Sequence, residues 1–199
     1  MSGFIIWLTG LSGSGKTTLS TAIQQKLSHS GLPIKSLDGD EVREQLCFDL
    51  GFSKKDRDQN VLRIGYVAKM LADFDVVVLV SAISPYRDAR DLVRQTSNGR
   101  FVEVFVDAPL ATCEERDVKG LYHKARRGEI QSFTGISDPY EYPRHPEVVC
   151  HTDLESIEES ADKVVRYVSA RLGIVTGVVE RTDVAQSSSR SYVFEGEGI

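Results

Sequence analysis

The sequence is poor in cysteine and has no long hydrophobic run. Its three cysteines, Cys47, Cys113 and Cys150, lie far apart and form no C-x-x-C pair, so we interpret them as reduced thiols buried in the core of a cytoplasmic protein. No apolar stretch approaches the roughly 20 residues that cross a bilayer. The N-terminus also lacks a basic segment followed by an apolar one, so we expect neither secretion nor membrane association.

Basic residues are outnumbered by acidic ones. The chain has 24 lysine and arginine residues against 29 aspartate and glutamate residues, a formal net charge of −5. This balance argues against nucleic acid as a partner, and it requires that any anionic ligand be bound by a local basic cluster. The four histidines show no metal-ligand spacing. Hydrophobic residues make up 41% of the 199 residues, as in a soluble, single-domain globular protein.

A glycine-rich stretch near the start fits the pattern G-x-x-x-x-G-K-[ST]. An apolar run (4–8) precedes it and a helix-forming segment (18–27) follows it, which is the context in which this motif binds nucleotide phosphates. Backbone amides would surround the phosphates, Lys16 would contact the β- and γ-phosphates, and the Thr17 hydroxyl would bind Mg²⁺. The predicted ATP-binding residues are Gly10, Ser12, Gly13, Ser14, Gly15, Lys16, Thr17 and Thr18.

Apolar runs alternate with helical patterns along the chain. Further strands are predicted at residues 34–37, 76–80, 102–106 and 148–150. Predicted helices include one that begins near Glu41, one capped by Ser53 that extends to about Ala72, and a closing helix at 154–172. The alternation predicts an α/β fold of the P-loop NTPase type, a three-layer sandwich with about five parallel strands and helices on both faces. The basic segment 117–146 is predicted to lie over the sheet.

Two acidic residues, Asp38 and Asp40, follow the second predicted strand. Because ligands of open parallel sheets bind at the carboxyl ends of the strands, both carboxylates are expected beside the phosphate loop. They could hold Mg²⁺ there and accept a proton from an attacking hydroxyl. The alternative for an acid at this position is capping of the next helix.

Missing motifs disfavour other classes of P-loop protein. The sequence has no N-K-x-D motif, no D-x-x-G after the third strand, and no acid at the end of the strand at 76–80. Guanine-nucleotide switches need the first two, and motors and transporters usually have the third. Small-molecule kinases take their acid from the second strand and close a basic lid over the phosphates, and residues 116–127 (RDVKGLYHKARR) match such a lid.

Basic residues also follow the second strand. Arg57, Asn60 and Arg63 are spaced so that adjacent members share a helical face, and Arg43 precedes them. Guanidinium groups suit phosphate and sulfate oxygens. The alternative is a solvated charged helix face.

These segments together resemble one family, the adenylyl-sulfate kinases (APS kinases). The matching blocks are GLSGSGKTT, LDGDEVR (37–43), LGFSKKDRDQNVLRIG (50–65), SAISPYR (81–87), FVEVFVDAPLATCEERDVKGLYHKARRGEI (101–130) and FTGISDPYE (133–141). They cover nearly all of residues 4–172. The phosphate loop is generic, whereas DVKGLY with FTGI and DPYE is not shared with shikimate, gluconate or nucleotide kinases.

The resemblance implies a domain at 1–173, with a lid at about 116–135, that works in sulfate assimilation. Such an enzyme transfers the γ-phosphoryl group of ATP, with Mg²⁺, to the 3′-hydroxyl of adenosine 5′-phosphosulfate (APS), giving PAPS and ADP. Phe52 and Phe133 would enclose the adenine of APS and arginines its phosphosulfate. The residues implied for APS are Asp40, Arg43, Phe52, Arg57, Asn60, Arg63, Ile83, Ser84, Lys119, Leu121, Phe133, Thr134 and Gly135. Arg116 joins the ATP site.

The implied catalytic residues are Lys16, Asp38, Asp40, Ser84 and Lys119. Asp40 is the candidate base for the 3′-hydroxyl and Asp38, with Thr17, the candidate Mg²⁺ ligand, although the division of roles between the two acids stays open. The family's serine at the position of Ser84 can be labelled by phosphate in some members. Because direct transfer needs no covalent intermediate, we expect Ser84 to hydrogen-bond substrate or to cap a helix.

The ends of the chain add further expectations. The start near the first strand resembles the short bacterial form of the family, without a fused sulfurylase domain, and the resemblance implies a homodimer. Residues 174–199 are unassigned: they form a loose tail, or the apolar patch at 192–194 adds to a sheet edge or a partner chain. The alternative functions are a kinase for another small anionic hydroxyl substrate and a catalytically silent nucleotide-binding module.

Overall fold

One parallel sheet of five strands organises the part of the chain that the computed structural model describes, residues 3–173. The strands are β1 (Phe4–Thr9), β2 (Ile34–Asp38), β3 (Val77–Ser81), β4 (Phe101–Asp107) and β5 (Val148–His151). Their order is β2-β3-β1-β4-β5. The strand that leads into the glycine loop therefore occupies the centre of the sheet.

Helices connect the strands and cover both faces of the sheet. Within the described residues they are α1 (Lys16–Leu27), α2 (Gly39–Leu46), α3 (Lys54–Asp73), α4 (Arg87–Thr96), α5 (Leu110–Arg116), α6 (Leu121–Arg126) and α7 (Ile157–Leu172). Helices α1 and α7 pack on one face, and α3 and α4 pack on the other. The predicted three-layer α/β sandwich is confirmed.

Strand β1 shows how the apolar runs build this core. Ile6 and Leu8 face the cluster formed with α1 and α7, whereas Ile5 and Trp7 face the cluster formed with α3 and α4, and all four side chains are fully buried. A central parallel strand is covered on both faces, so a continuous apolar run is what it requires.

Helix caps account for most of the differences from the predicted boundaries. The closing helix begins at Ile157 instead of residue 154, because Ser156 caps it: its Oγ accepts from the amide of Glu159 at 3.2 Å. Helix α2 begins at Gly39, because the Asp38 side chain caps it. The third strand lies one residue later than predicted, and the predicted cap of α3 by Ser53 is confirmed.

The three cysteines are free and buried, as predicted. Among residues 3–173, no helix combines the length and the apolar character that crossing a bilayer requires. The tail at 174–199, with its apolar patch, lies outside the described residues, so the division of the chain after Gly173 stays a prediction.

Helix α3 lies close to α4 at Gly65. A Cβ atom at this position would lie 2.5 Å from Cγ2 of Val93. Alanine is the better helix former by about 1 kcal/mol, but overpacking a tight core costs about 1–3 kcal/mol. We therefore predict that Gly65→Ala lowers the free energy of unfolding by about 1–2 kcal/mol in urea denaturation. Because Val93→Ala removes the clashing methyl groups, Gly65→Ala should cost less in that background, and an equal cost in both backgrounds would contradict the steric explanation.

Candidate active site

The carboxyl ends of the strands bring the predicted site residues to one edge of the sheet. Asp38 on β2 pairs with Ser81 on β3, which pairs with Leu8 on β1 just before the glycine loop. Asp107 and His151 end β4 and β5 at the same edge. The prediction that the acids after β2 lie beside the phosphate loop is therefore confirmed.

The glycine loop begins where β1 passes close to β4. Gly10 has φ +154°, and a Cβ atom there would lie 2.4 Å from the carbonyl oxygen of Val106. Only glycine fits this approach. The loop then turns through Ser14, whose amide donates to the Leu11 carbonyl at 3.2 Å, into the N-terminus of α1. The loop therefore ends at the N-terminus of α1, where the backbone amides and the helix dipole favour an anion.

Lys16 is folded back onto the loop that carries it. Its Nζ donates to the carbonyl oxygens of Gly10 at 3.0 Å and Leu11 at 2.7 Å. Removal of water around the ammonium group lowers the pKa of Lys16 to about 8. Neutral carbonyls compensate this charge only partly, so a bound phosphate would be a better partner.

The hydroxyl of Thr17 and the carboxylate of Asp38 meet at the N-terminus of α1. Thr17 Oγ1 donates to Asp38 Oδ2 at 3.0 Å, and Asp38 Oδ1 accepts from the amide of Asp40 at 2.9 Å. Asp38 therefore caps α2 and also faces the phosphate loop. Helix capping and a role in Mg²⁺ binding, the two alternatives for this acid, are compatible. Hydroxyl and carboxylate oxygens are the donors that Mg²⁺ prefers, so these two residues fit the predicted metal site.

Asp40 and Lys119 form an ion pair across the mouth of the site. Lys119 lies between α5 and α6, in the basic segment predicted as a lid, and Asp40 lies in the first turn of α2. The Asp40 carboxylate raises the pKa of Lys119 above its usual value. Both side chains are more than half exposed, so the pair can open to admit a ligand.

One cavity of about 890 Å³ joins the two halves of the predicted site. Most of the predicted residues line it, and they are Ser12, Gly13, Gly15, Lys16, Thr17, Thr18, Asp38, Asp40, Arg43, Phe52, Arg57, Asn60, Ile83, Ser84, Arg116, Lys119, Leu121, Phe133 and Thr134. Four predicted residues do not line it, and they are Gly10, Ser14, Arg63 and Gly135. Gly10 and Ser14 act within the loop itself, and Gly135 packs against Leu11 and Leu110.

Arg63 lies away from this cavity because another partner holds it. Its guanidinium group binds the carboxylate of Asp49 at 2.5 and 2.8 Å and donates to the carbonyl of Leu46 at 3.1 Å. Arg57 and Asn60 lie on the same helix and do line the cavity. The predicted basic face is therefore divided between a ligand-facing part and an ion pair.

Aromatic and guanidinium groups form another part of the cavity wall. The Arg43 guanidinium carbon lies 4.3 Å from the ring centre of Phe52, and that of Arg57 lies 5.5 Å from it. Arg57 also donates to the carbonyls of Phe52 and Ser132, and so links the two aromatic walls. Phe133 is buried edge-on against Tyr122, with 5.0 Å between ring centres.

Three buried polar atoms in the cavity wall have no hydrogen-bond partner. They are Asn60 Oδ1, Ser81 Oγ and Thr134 Oγ1. Buried polar atoms are nearly always paired in folded proteins. Three of them around one cavity therefore indicate that a polar ligand belongs there.

The hydroxyl of Ser84 is already engaged on the side away from the cavity. It accepts from the indole nitrogen of Trp7 at 3.0 Å and donates to Thr9 Oγ1 at 3.0 Å. Ser84 is 3% exposed. Helix α4 is capped at Tyr86, so the expectation that Ser84 caps a helix is wrong, and a contact between Ser84 and substrate stays a prediction.

Sequence reasoning missed one wall of the cavity, formed by Thr152, Glu155 and Ile157. Thr152 Oγ1 donates to the carbonyl of Ser14 at 2.7 Å, and Arg116 donates to the Thr152 carbonyl at 2.7 Å. This wall follows β5, so the rule that ligands bind at carboxyl ends of strands would have found it if applied to the last strand as well.

Comparison with known proteins agrees with this geometry. The family model for adenylylsulphate kinase matches residues 2–151. This chain belongs to the adenylylsulphate kinase family. It is a P-loop kinase, and membership of the family makes it an ATP-dependent phosphotransferase.

Individual members of the family match most of the chain. The adenylyl-sulfate kinase of Rippkaea orientalis is 64% identical over 162 residues, which cover 81% of this chain and 89% of the relative. The structure of the Mycobacterium tuberculosis APS kinase in complex with AMPPNP and APS is similar with a TM-score of 0.80 and 46% identity, over 84% of this chain and 98% of the other. The hexameric APS kinase from Thiobacillus denitrificans is 31% identical with a TM-score of 0.65, over 85% of this chain and 29% of that longer chain.

The lowered pKa of Lys16 predicts how ATP binding by this kinase depends on pH. Above pH 8 the ligand-free protein loses the Lys16 charge, whereas bound phosphates favour the charged form, so binding must take up a proton. We predict that ATP affinity falls by up to about tenfold per pH unit above pH 8. Isothermal titration calorimetry in buffers of different ionisation enthalpy measures both the affinity and the proton uptake.

Lys16→Arg is the matched control for this prediction, because arginine stays cationic over the whole range. Its ATP affinity should be weaker but flat between pH 8 and about pH 9.5. The same pH dependence in both proteins would show that another group is responsible.

Proposed function

We propose that this kinase transfers the γ-phosphoryl group of ATP to the 3′-hydroxyl of APS, giving PAPS and ADP, in sulfate assimilation. The observation that carries the proposal is the single cavity that extends from Lys16 and Thr17 to Phe52 and Phe133. Its volume of about 890 Å³ lies in the upper part of the range of small-molecule sites. A phosphate loop at one end and an aromatic and basic wall at the other favour a triphosphate facing a purine-bearing anion.

ATP would occupy the half of the cavity beside α1. The loop amides would bind its β- and γ-phosphates, and Lys16 would exchange the carbonyls of Gly10 and Leu11 for phosphate oxygens. Arg116, held by Thr152, borders the same half and would contact the nucleotide. Thr17 and Asp38 would hold Mg²⁺, which when bound neutralises charge on the phosphates.

APS would occupy the opposite half. Phe52 and Phe133 would enclose its adenine, and Arg43 and Arg57 would bind the phosphosulfate, which needs several fixed donors because sulfate is weakly basic. The unpaired atoms of Asn60, Ser81 and Thr134 offer polar contacts there. Ile83 and Leu121 line the same cavity and would complete the pocket by shape, whereas Gly135 would support it from behind, next to Leu11 and Leu110. Arg63 would join only if its ion pair with Asp49 opened.

The position of Asp40 supports its role as the general base. Asp38 is occupied by Thr17 and by the α2 amide, whereas the Asp40 carboxylate is held only by the exposed ammonium group of Lys119 among the described side chains. In the proposed step, Asp40 accepts the proton of the 3′-hydroxyl while the 3′-oxygen of APS forms the bond to the γ-phosphorus. The bond to the β–γ bridging oxygen breaks, and its electron pair leaves with ADP.

Lys16 and Lys119 would offset the negative charge that develops on the transferred group. Ser84 would support the acceptor pocket without forming a phosphoenzyme, because its hydroxyl is buried against Trp7 and Thr9. We also propose that the enzyme acts in the cytoplasm as a homodimer, as the family resemblance implies.

An acceptor-dependence assay tests the proposed function. Release of ADP from ATP and Mg²⁺ should rise with APS and should not rise with shikimate, gluconate or adenosine monophosphate. Turnover that depends on one of those other acceptors would replace APS as the substrate. Absence of turnover with APS, in protein that binds ATP, would support a silent nucleotide-binding module.

Replacement of the proposed base separates chemistry from binding. We predict that Asp40→Asn lowers kcat by about 10²–10⁴-fold, the usual contribution of a general base, while the Kd for ATP changes by less than about threefold. Steady-state kinetics and calorimetry measure the two quantities. Glu41→Gln, at the next position of α2 and outside the cavity lining, is the control and should keep near-normal turnover; near-normal turnover of Asp40→Asn would refute the assignment.

A further inference from the structure

We propose that Arg90 is a positioning residue, which holds the acceptor half of the cavity in shape without touching substrate. This inference rests on the proposed function, since that function assigns the acceptor to that half. Arg90 lies on the buried side of α4, is 1% exposed and does not line the cavity. Because burying a cation is costly unless it is paired, its partners indicate why it is there.

The guanidinium group of Arg90 contacts three separate segments. Nε donates to Glu103 Oε1 on β4 at 2.8 Å, Nη1 to the Ser84 carbonyl at 2.6 Å, and Nη2 to the Glu141 carbonyl at 2.7 Å. Glu103 is 4% exposed and offsets the buried charge. The other two contacts add no opposite charge. They attach two loops to the sheet.

Both of these loops carry walls of the acceptor half. Ser84 stands between Ile83 and Pro85, which line the cavity. The amide of Glu141 donates to the Pro85 carbonyl at 2.8 Å, so the loops also contact each other. The segment that leads to Glu141 starts with Phe133 and is closed on itself by several hydrogen bonds to the Phe133 carbonyl. A displacement of the Arg90 guanidinium group would therefore move both the loop of Ser84 and the segment that leads to Glu141.

The conformation of Ser84 needs this support. Its φ of +42° lies in the left-handed region, which residues other than glycine rarely adopt unless their surroundings impose it. Trp7 and Thr9 hold its side chain, and Arg90 holds its carbonyl. The hydroxyl of Tyr140, 2.9 Å from Thr9 Oγ1, completes this buried network.

Arg94 provides the matched comparison. It lies one turn further along α4 and binds the same Glu103 at 3.1 Å, together with Glu147 at 2.8 Å. Within residues 3–173 its hydrogen bonds do not reach Ser84 or Glu141; they hold the segment of Glu141 only at Glu147, beside the start of β5. Arg90 and Arg94 thus share an ion-pair partner and differ in their attachment to the acceptor walls.

Arg90→Lys and Arg94→Lys test the proposal in the full-length protein. Lysine keeps the charge beside Glu103 but lacks the fork that reaches both carbonyls. We expect Arg90→Lys to raise the KM for APS about tenfold or more, with the KM for ATP changed by less than about twofold, and Arg94→Lys to change neither by more than about twofold. Equal rises in both KM values for Arg90→Lys, or equal effects of the two substitutions, would overturn the proposal.

The sole tryptophan of the chain provides a readout that needs no substrate. Trp7 is fully buried and bonded to Ser84, so Arg90→Lys should shift its emission maximum and Arg94→Lys should leave it at the wild-type value. An unchanged emission in Arg90→Lys would refute the positioning role. If the wild-type protein shows no turnover with APS, the proposed function is refuted. A shifted emission in Arg90→Lys would then still support the role of Arg90 in holding the cavity walls.

Tyr140→Phe keeps the proposal testable if Arg90→Lys does not fold. It removes one hydroxyl from the same buried network and leaves Arg90 in place. A rise in the KM for APS alone, smaller than the rise expected for Arg90→Lys, would support the role of this network in shaping the acceptor half of the cavity. An equal change in the KM for both substrates would contradict it.

Discussion

The close approach of Gly10 to the carbonyl of Val106 is the constraint on which the rest of the site depends. It leaves no room for a side chain, and so it places the start of the glycine loop at the end of the central strand β1, close against β4. From there α1 carries Lys16 and Thr17, while the neighbouring strands deliver Asp38 and the Ser84 loop to the same edge. The ligand site is a consequence of sheet order and of one glycine.

In this acidic chain, the basic groups around the cavity each have a partner within the protein. Lys16 rests on carbonyl oxygens, Lys119 on Asp40, and Arg57 on the carbonyls of Phe52 and Ser132. Phosphate or phosphosulfate oxygens carry full charge, so they would bind Lys16 and Arg57 more strongly than these neutral carbonyls do. Binding then exchanges contacts between groups that are already in place, which limits the conformational entropy lost.

Local patterns explain why much of the fold and the site could be predicted from the sequence. The phosphate loop, the acids after β2 and the cap at Ser53 depend on neighbouring residues, and all three are found where the spacing places them. The start of α7 was also readable, since Ser156 and Glu159 form a capping box. The wall at Thr152 follows the short last strand β5, where no sequence motif marks a ligand site; only the general rule that ligands bind at the carboxyl ends of parallel strands predicts it.

Competition between distant side chains could not be predicted in the same way. Arg63 shares a helix with Arg57 and Asn60, but the carboxylate of Asp49 holds it elsewhere. Arg90 lies in a helix rich in charged residues, and its partners at 84, 103 and 141 come together only in the folded chain. Periodicity reports which face of a helix is apolar, and it does not report which charge is buried with a partner.

In the proposed complex, one cavity aligns a triphosphate with the ribose of a second nucleotide. A crystal structure of this protein with AMPPNP, Mg²⁺ and APS tests it most directly. We predict the triphosphate on the amides of the glycine loop, the adenine of APS between Phe52 and Phe133, and the 3′-oxygen of APS between Asp40 and the γ-phosphorus. A purine of APS bound away from both aromatic rings, or a 3′-oxygen directed away from Asp40, would contradict it.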